Sequence, residues 1–268
     1  MRVIARAVAD AQAGDGGVLV IRGSSGIGKT ALLSEVTRDS RRRGMQVLPV
    51  FGGEVERDMP LTVMHQLAAG LGEAAVPALG GLWETIDAFR RRLVTLAAVR
   101  PLAVVVDDVD AVDAASLKFL EWLARRVDGT ATLLAVAAQA RRSEERTLDR
   151  IAAVPGTNVL GPKALSTDAV TTLVRDRWAE ADTDFCRACH HATAGNPALV
   201  KELLAVVAAE GLPPTSTTGA LLIELEPCTI ARGPLVRLAH SSRAARALAQ
   251  AAAVLGDGTP LGLSLIHI

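Results

Sequence analysis

The segment Gly23-Ser24-Ser25-Gly26-Ile27-Gly28-Lys29-Thr30 places a lysine and a threonine behind glycines in the spacing G-x-x-x-x-G-K-T. These residue types suit a polyphosphate. Glycines at 23, 26 and 28 permit positive φ and let backbone N–H groups converge on one concavity, to which the N-terminus of a following helix adds partial positive charge. Lys29 is a mobile point charge able to reach β- and γ-phosphates, and the Thr30 hydroxyl can complete a Mg²⁺ shell. All eight residues are expected to line an ATP-binding P-loop.

Such a loop needs an acidic partner at the end of another buried strand, and Val104-Val105-Val106-Asp107-Asp108 supplies one. Asp107 is expected to hold Mg²⁺ through water, and Asp108 to polarise the attacking water from the γ-phosphate side. Asp110 and Asp113 read as caps of the helix that starts near Ala114. In-line transfer also uses a cation near the developing charge. Arg141, just past an apolar run at 131–138, is the candidate, with Arg142 as its substitute and a solvated loop arginine as the plain alternative.

The elements that must position these groups alternate along the chain. Val18–Ile21 is a short apolar run that ends at the glycine loop, and a helical pattern begins at Lys29. Further strands are expected at Gln46–Phe51, Pro101–Val106, Ala131–Ala138 and Asn158–Leu160, with helices over 61–71, 83–99 and 114–126. Apolar strands alternating with helices predict an α/β fold whose parallel sheet is covered on both faces. After Gly161-Pro162 only helical periodicity remains, over 166–178, 182–193, 197–210 and 242–254. Pro197 is a plausible first-turn residue of its helix, and Gly211 a stop.

Several stretches together resemble the ATPase region of the large LuxR-type ATP-binding regulators, within the signal-transduction ATPases with numerous domains. Glu54 to Leu61, Asp107 to Leu117, Cys189 to Pro197 and Leu248 to Pro260 carry the likeness. The resemblance implies a P-loop NTPase domain with a five-stranded sheet, its sensor strand between the P-loop strand and the Mg²⁺-site strand, which places Arg141 near the γ-phosphate. It further implies a helical lid whose Pro197 packs on the nucleotide base, then a winged-helix-like region. Such proteins are transcriptional switches that respond to ATP and an inducer, and bind DNA through a C-terminal helix-turn-helix. The sequence departs from the pattern in lacking a Gly-Arg-Glu segment near its start, and in having Ala194 where a glycine is common.

The expected organisation is a P-loop domain over 1–161, a helical lid over 162–235 and the start of a winged-helix-like region over 236–262. Residues 263–268, Leu-Ser-Leu-Ile-His-Ile, read as a translated sequencing adapter and stand outside the fold argument. Lys plus Arg and Asp plus Glu each number 29 in 268 residues, so no global charge points to nucleic acid. The runs Arg41–Arg43 and Arg90–Arg92 are expected to be solvated helix faces. No apolar run is long enough for a membrane span, no export signal is visible, and three cysteines suit a reducing, cytoplasmic setting. Cys186-Arg187-Ala188-Cys189-His190 matches a haem-attachment pattern, and Cys186, Cys189, His190 and His191 could be considered for zinc, but a helical pattern and the lid resemblance account for them. The expected function is an ATP-dependent regulatory switch with slow hydrolysis and some self-association. The competing class is a nucleotide-binding scaffold that does not turn over; a small-molecule kinase ranks third.

Overall fold

The computed structural model describes residues 1–53, 57, 59–72, 81–139 and 145–223, with the side chains of 145–147 excepted. The expectations at Arg141, Arg142, the helix at 242–254, the winged-helix-like region and the tail all lie outside the described residues. The chain divides into two compact units, Met1–Lys163 and Ala164–Ile268.

In the first unit five parallel strands run in the order β2-β3-β4-β1-β5. They are β1 (Gly17–Gly23), β2 (Gln46–Phe51), β3 (Leu102–Asp107), β4 (Thr132–Gln139) and β5 (Asn158–Leu160). The strand expected to carry the sensor therefore lies between the glycine-loop strand and the strand ending at Asp107, paired with both. Because strand side chains alternate, one set of residues feeds each face. Val18, Val20, Val104, Val106, Leu134 and Val136 pack under α3 (Thr62–Gly70), α4 (Leu82–Val99), α5 (Ala114–Ala124) and α6 (Glu145–Ala152). Leu19, Ile21, Ala103, Val105, Leu133 and Ala135 pack under α1 (Arg2–Ala13) and α2 (Lys29–Arg42). This is the P-loop NTPase fold.

The edge strand β2 is protected in two ways. Pro49 withholds an N–H, and Gln66 brackets Phe51, accepting from its N–H at 2.9 Å and donating to its carbonyl at 2.9 Å.

Asp113 caps α5 as expected, accepting from the N–H groups of Ala115 at 3.0 Å and Ser116 at 2.9 Å. It also accepts from Leu61 N–H and Thr62 N–H, each at 3.1 Å, and from the Ser116 hydroxyl, so one buried carboxylate starts two helices. Asp110 does not cap α5. It sits in a single 3₁₀ turn, Val109–Ala111, and its carboxylate accepts from the N–H of Gln139 at the end of β4.

The second unit contains α7 (Thr167–Arg177), α8 (Thr183–Thr193), α9 (Pro197–Ala209) and α10 (Ser216–Ile223) around Val170, Phe185, Cys189, Leu203 and Val207. Ala194 ends α8 with φ 47°, and Gly195 follows at φ 68°. Asn196 then caps α9, its side-chain oxygen accepting from Ala198 N–H at 3.1 Å, with Pro197 in the first turn.

Candidate functional site

β1 delivers the glycine loop at the C-terminal edge of the sheet, where ligands of open α/β sheets bind. Gly26 has φ 74° and Gly28 φ 102°, conformations that a side chain would strain. Gly28 is also the N-cap of α2 and provides no side-chain cap of its own, and the first N–H groups of that helix face the loop. Gly23 is fixed by space: a Cβ there would come within 2.6 Å of the Ile27 side chain. Lys29 is 7% exposed, and its ammonium donates to the carbonyls of Gly23 at 3.2 Å and Ser24 at 3.0 Å. The loop thus holds its own cation inside a ring of backbone.

The two groups expected to share a metal are brought together: the Thr30 hydroxyl donates to Asp107 Oδ2 at 2.7 Å. The other oxygen of Asp107 accepts from Asp108 N–H at 3.0 Å. A hydroxyl and a carboxylate, both hard oxygen donors beside a phosphate-shaped loop, fit Mg²⁺. Asp108 leaves the strand in the left-handed region at φ 46°, a conformation that Asp tolerates better than most residues, and is exposed. An open groove of about 630 Å³ runs from Thr30 and Asp107 past Leu33 to Arg38 on α2 and Phe51 on β2.

Two residues here escaped the sequence reading. Gly52 packs so closely on the end of β3 that a Cβ would lie 2.2 Å from the carbonyl oxygen of Asp108, and its N–H donates to the backbone carbonyl of Asp107 at 3.0 Å. The Phe51-Gly52-Gly53 string was its only signal. Gln139 ends β4 directly across from Gly23 in register, which puts an uncharged amide side chain at the strand end beside the loop. A glutamine gives no motif of its own, and only the strand order reveals it.

Pro197 belongs to the second unit, where the Asn196 cap explains its helix position. The cysteine motif is in α8. Cys186 and Cys189 are buried and unpaired, and burial, with Cys186 alongside, pushes the Cys189 thiol up to about 12. His190 Nε2 lies 3.1 Å from the carbonyl of Leu165. Among the described residues no group of three His, Cys, Asp or Glu is placed to hold a metal. Arg90 and Arg91 pair with Asp87, and Arg43 with Asp39. No helix among the described residues is long and apolar enough to cross a membrane.

The family model of the AAA ATPase domain matches residues 1–136. No curated protein matches the chain. Among solved structures, the ORC1 protein of Aeropyrum pernix in complex with DNA is similar at 19% identity and TM-score 0.55, over 96% of this chain and 71% of that one. The ORC2 protein of the same organism, in ADPNP-ADP complexes, is similar at 15% identity and TM-score 0.55, over 83% of this chain and 66% of that one. Cdc6p of Pyrobaculum aerophilum is similar at 14% identity and TM-score 0.56, over 78% of this chain and 61% of that one. The chain thus spans roughly two thirds of the length of these proteins, and at such identities they speak for the fold alone.

Proposed function

The chain belongs to the AAA ATPase domain family, and from that premise we propose that it is the ATP-binding and slowly hydrolysing switch module of a LuxR-type transcriptional regulator. The observation that carries the reading is the 2.7 Å contact between Thr30 and Asp107 beside a loop whose Lys29 is already gathered in. In this reading Gly23 to Thr30 bind the triphosphate through backbone N–H groups and the Lys29 ammonium. Thr30 and Asp107 hold Mg²⁺, which would neutralise charge on the phosphates when bound. Asp108 accepts a proton from, or orients, the attacking water, and the Gln139 amide contacts the γ-phosphate side. Arg141 is assigned to the developing charge and Pro197 to the base. The helical unit reads the nucleotide state, and an inducer and DNA act through parts C-terminal to these residues, DNA through a helix-turn-helix. The cytoplasmic setting belongs to the same proposal.

A nucleotide-binding scaffold without turnover is favoured by one observation, the exposure of Asp108 at a site where hydrolysis needs a sheltered base. Binding of a fluorescent ATP analogue and phosphate release, measured on one preparation, separate the two. Wild-type protein should bind in the presence of Mg²⁺ and release phosphate slowly, Lys29→Ala should lose binding, and Asp108→Asn should bind and not hydrolyse. Binding without any wild-type turnover hands the site to the scaffold reading, and absence of binding sinks both.

A further inference from the structure

Resting on the ATPase reading above, we infer that Asp110 is a positioning residue, one that sets the geometry of the two groups facing the γ-phosphate side, Asp108 and Gln139, without touching nucleotide itself. Two contacts converge on it, and a third closes the turn that holds it. Its carboxylate accepts from the N–H of Gln139, the last residue of β4. Its backbone carbonyl accepts from the Arg57 guanidinium at 2.8 Å. The turn that holds it closes on Asp108, whose carbonyl accepts from Ala111 N–H at 2.8 Å.

Asp108 is the point at which β3 stops: with φ 46° it turns the chain sharply away from the strand direction. The turn that follows is three residues long, too short to hold its direction by internal bonds alone. The carboxylate of Asp110 closes it onto β4. β3 and β4 are hydrogen-bonded neighbours only as far as the pair Val106 and Val136, whereas β4 continues beside β1 to the pair Gln139 and Gly23. Beyond Val136, therefore, the strand end that carries Gln139 is not paired to β3 by backbone ladder, and the Asp110 side chain makes that link. A single acceptor oxygen thereby ties the direction of Asp108 to the place of Gln139 beside Gly23. In-line transfer is sensitive to displacements of this kind, since a misplacement of about 1 Å can cost about a hundredfold in rate.

The test compares Asp110→Ala with Asp110→Asn in the 268-residue chain. Asparagine keeps a side-chain oxygen able to accept from Gln139 N–H; alanine does not. Asp110→Ala is expected to lower kcat by about tenfold or more with the Kd for a fluorescent ATP analogue within about twofold, and Asp110→Asn to restore most of the rate. An unchanged kcat in Asp110→Ala overturns the inference, as does a parallel loss of affinity, or an Asn variant as slow as the Ala one. Hydrogen exchange at the Gln139 amide, followed by NMR without nucleotide, gives a second readout. It should be slow in wild type and Asp110→Asn, and faster in Asp110→Ala. If wild-type protein does not hydrolyse ATP, the functional reading fails by itself, and equal exchange in all three proteins would overturn the Asp110 contact independently.

Discussion

The Thr30 hydroxyl donates to the Asp107 carboxylate at 2.7 Å, joining the first turn of α2 to the last residue of β3. This contact ties the P-loop to the acidic strand. It also sets up a specific expectation about metal dependence. Thr30→Val and Asp107→Asn each remove one hard oxygen donor while leaving Lys29 and the backbone N–H groups in place. Each should reduce the gain in ATP affinity given by Mg²⁺ by about tenfold or more, and change the affinity measured in EDTA little. Titration of a fluorescent ATP analogue under both conditions checks this. An equal loss in EDTA would mean that the contact merely supports the loop.

Asp113 predicts a dependence of stability on acid. Burial raises its pKa, but the Ser116 hydroxyl and the N–H groups of Ser116, Leu61 and Thr62 together outweigh burial and hold the carboxyl below its ordinary value. A folded pKa below the unfolded one means that the unfolded chain binds the proton more readily. The stabilisation is complete above the unfolded value of about 4 and is lost as pH falls through the folded value. Urea melts should show wild-type stability declining below about pH 4, with Asp113→Asn declining less over that range. At neutral pH Asp113→Ala should cost about 2–4 kcal/mol, because it strands the N–H groups at the starts of α3 and α5. A neutral-pH melt indistinguishable from wild type would refute the double cap.

The parts of this fold legible in the sequence were those with a periodic or spaced signal. Strands buried on both faces, such as Val104-Val105-Val106, betray themselves as unbroken apolar runs, and all five expected strands are present within one or two residues of their read bounds. The glycine loop and its acidic partner were legible because phosphate chemistry fixes residue types at fixed positions. The helix Arg2–Ala13 was not, because half of its buried face is alanine and only Ile4 and Val8 mark it clearly. Asp110 resembles a cap in the sequence because carboxylates before helices usually are caps. Its bond to Gln139 spans 29 residues and becomes visible only with the strand order. Gly52 and Gln139 belong to the same class: their roles arise from neighbours brought close by the sheet.

Ala194 and Gly195 make a sharp pair for a stability test in the helical unit. Both have positive φ, at 47° and 68°, yet the space around them differs. At Gly195 a Cβ would stand 2.3 Å from the carbonyl oxygen of Leu165, which also lies 3.1 Å from His190 Nε2, while Leu165 N–H donates to the Gly195 carbonyl at 2.8 Å. Gly195→Ala must therefore strain its own backbone and push apart a hydrogen-bonded turn, and should lose about 2 kcal/mol or more. Ala194 already has a side chain in its place, so its cost is conformational alone. Removing it in Ala194→Gly relieves a left-handed alanine at the helix end and should add about 0.5–1 kcal/mol, the reason glycine suits this position. Thermal and urea melts of the two variants should move in opposite directions. If Ala194→Gly also destabilised the protein, the left-handed cap would not be the conformation adopted in solution.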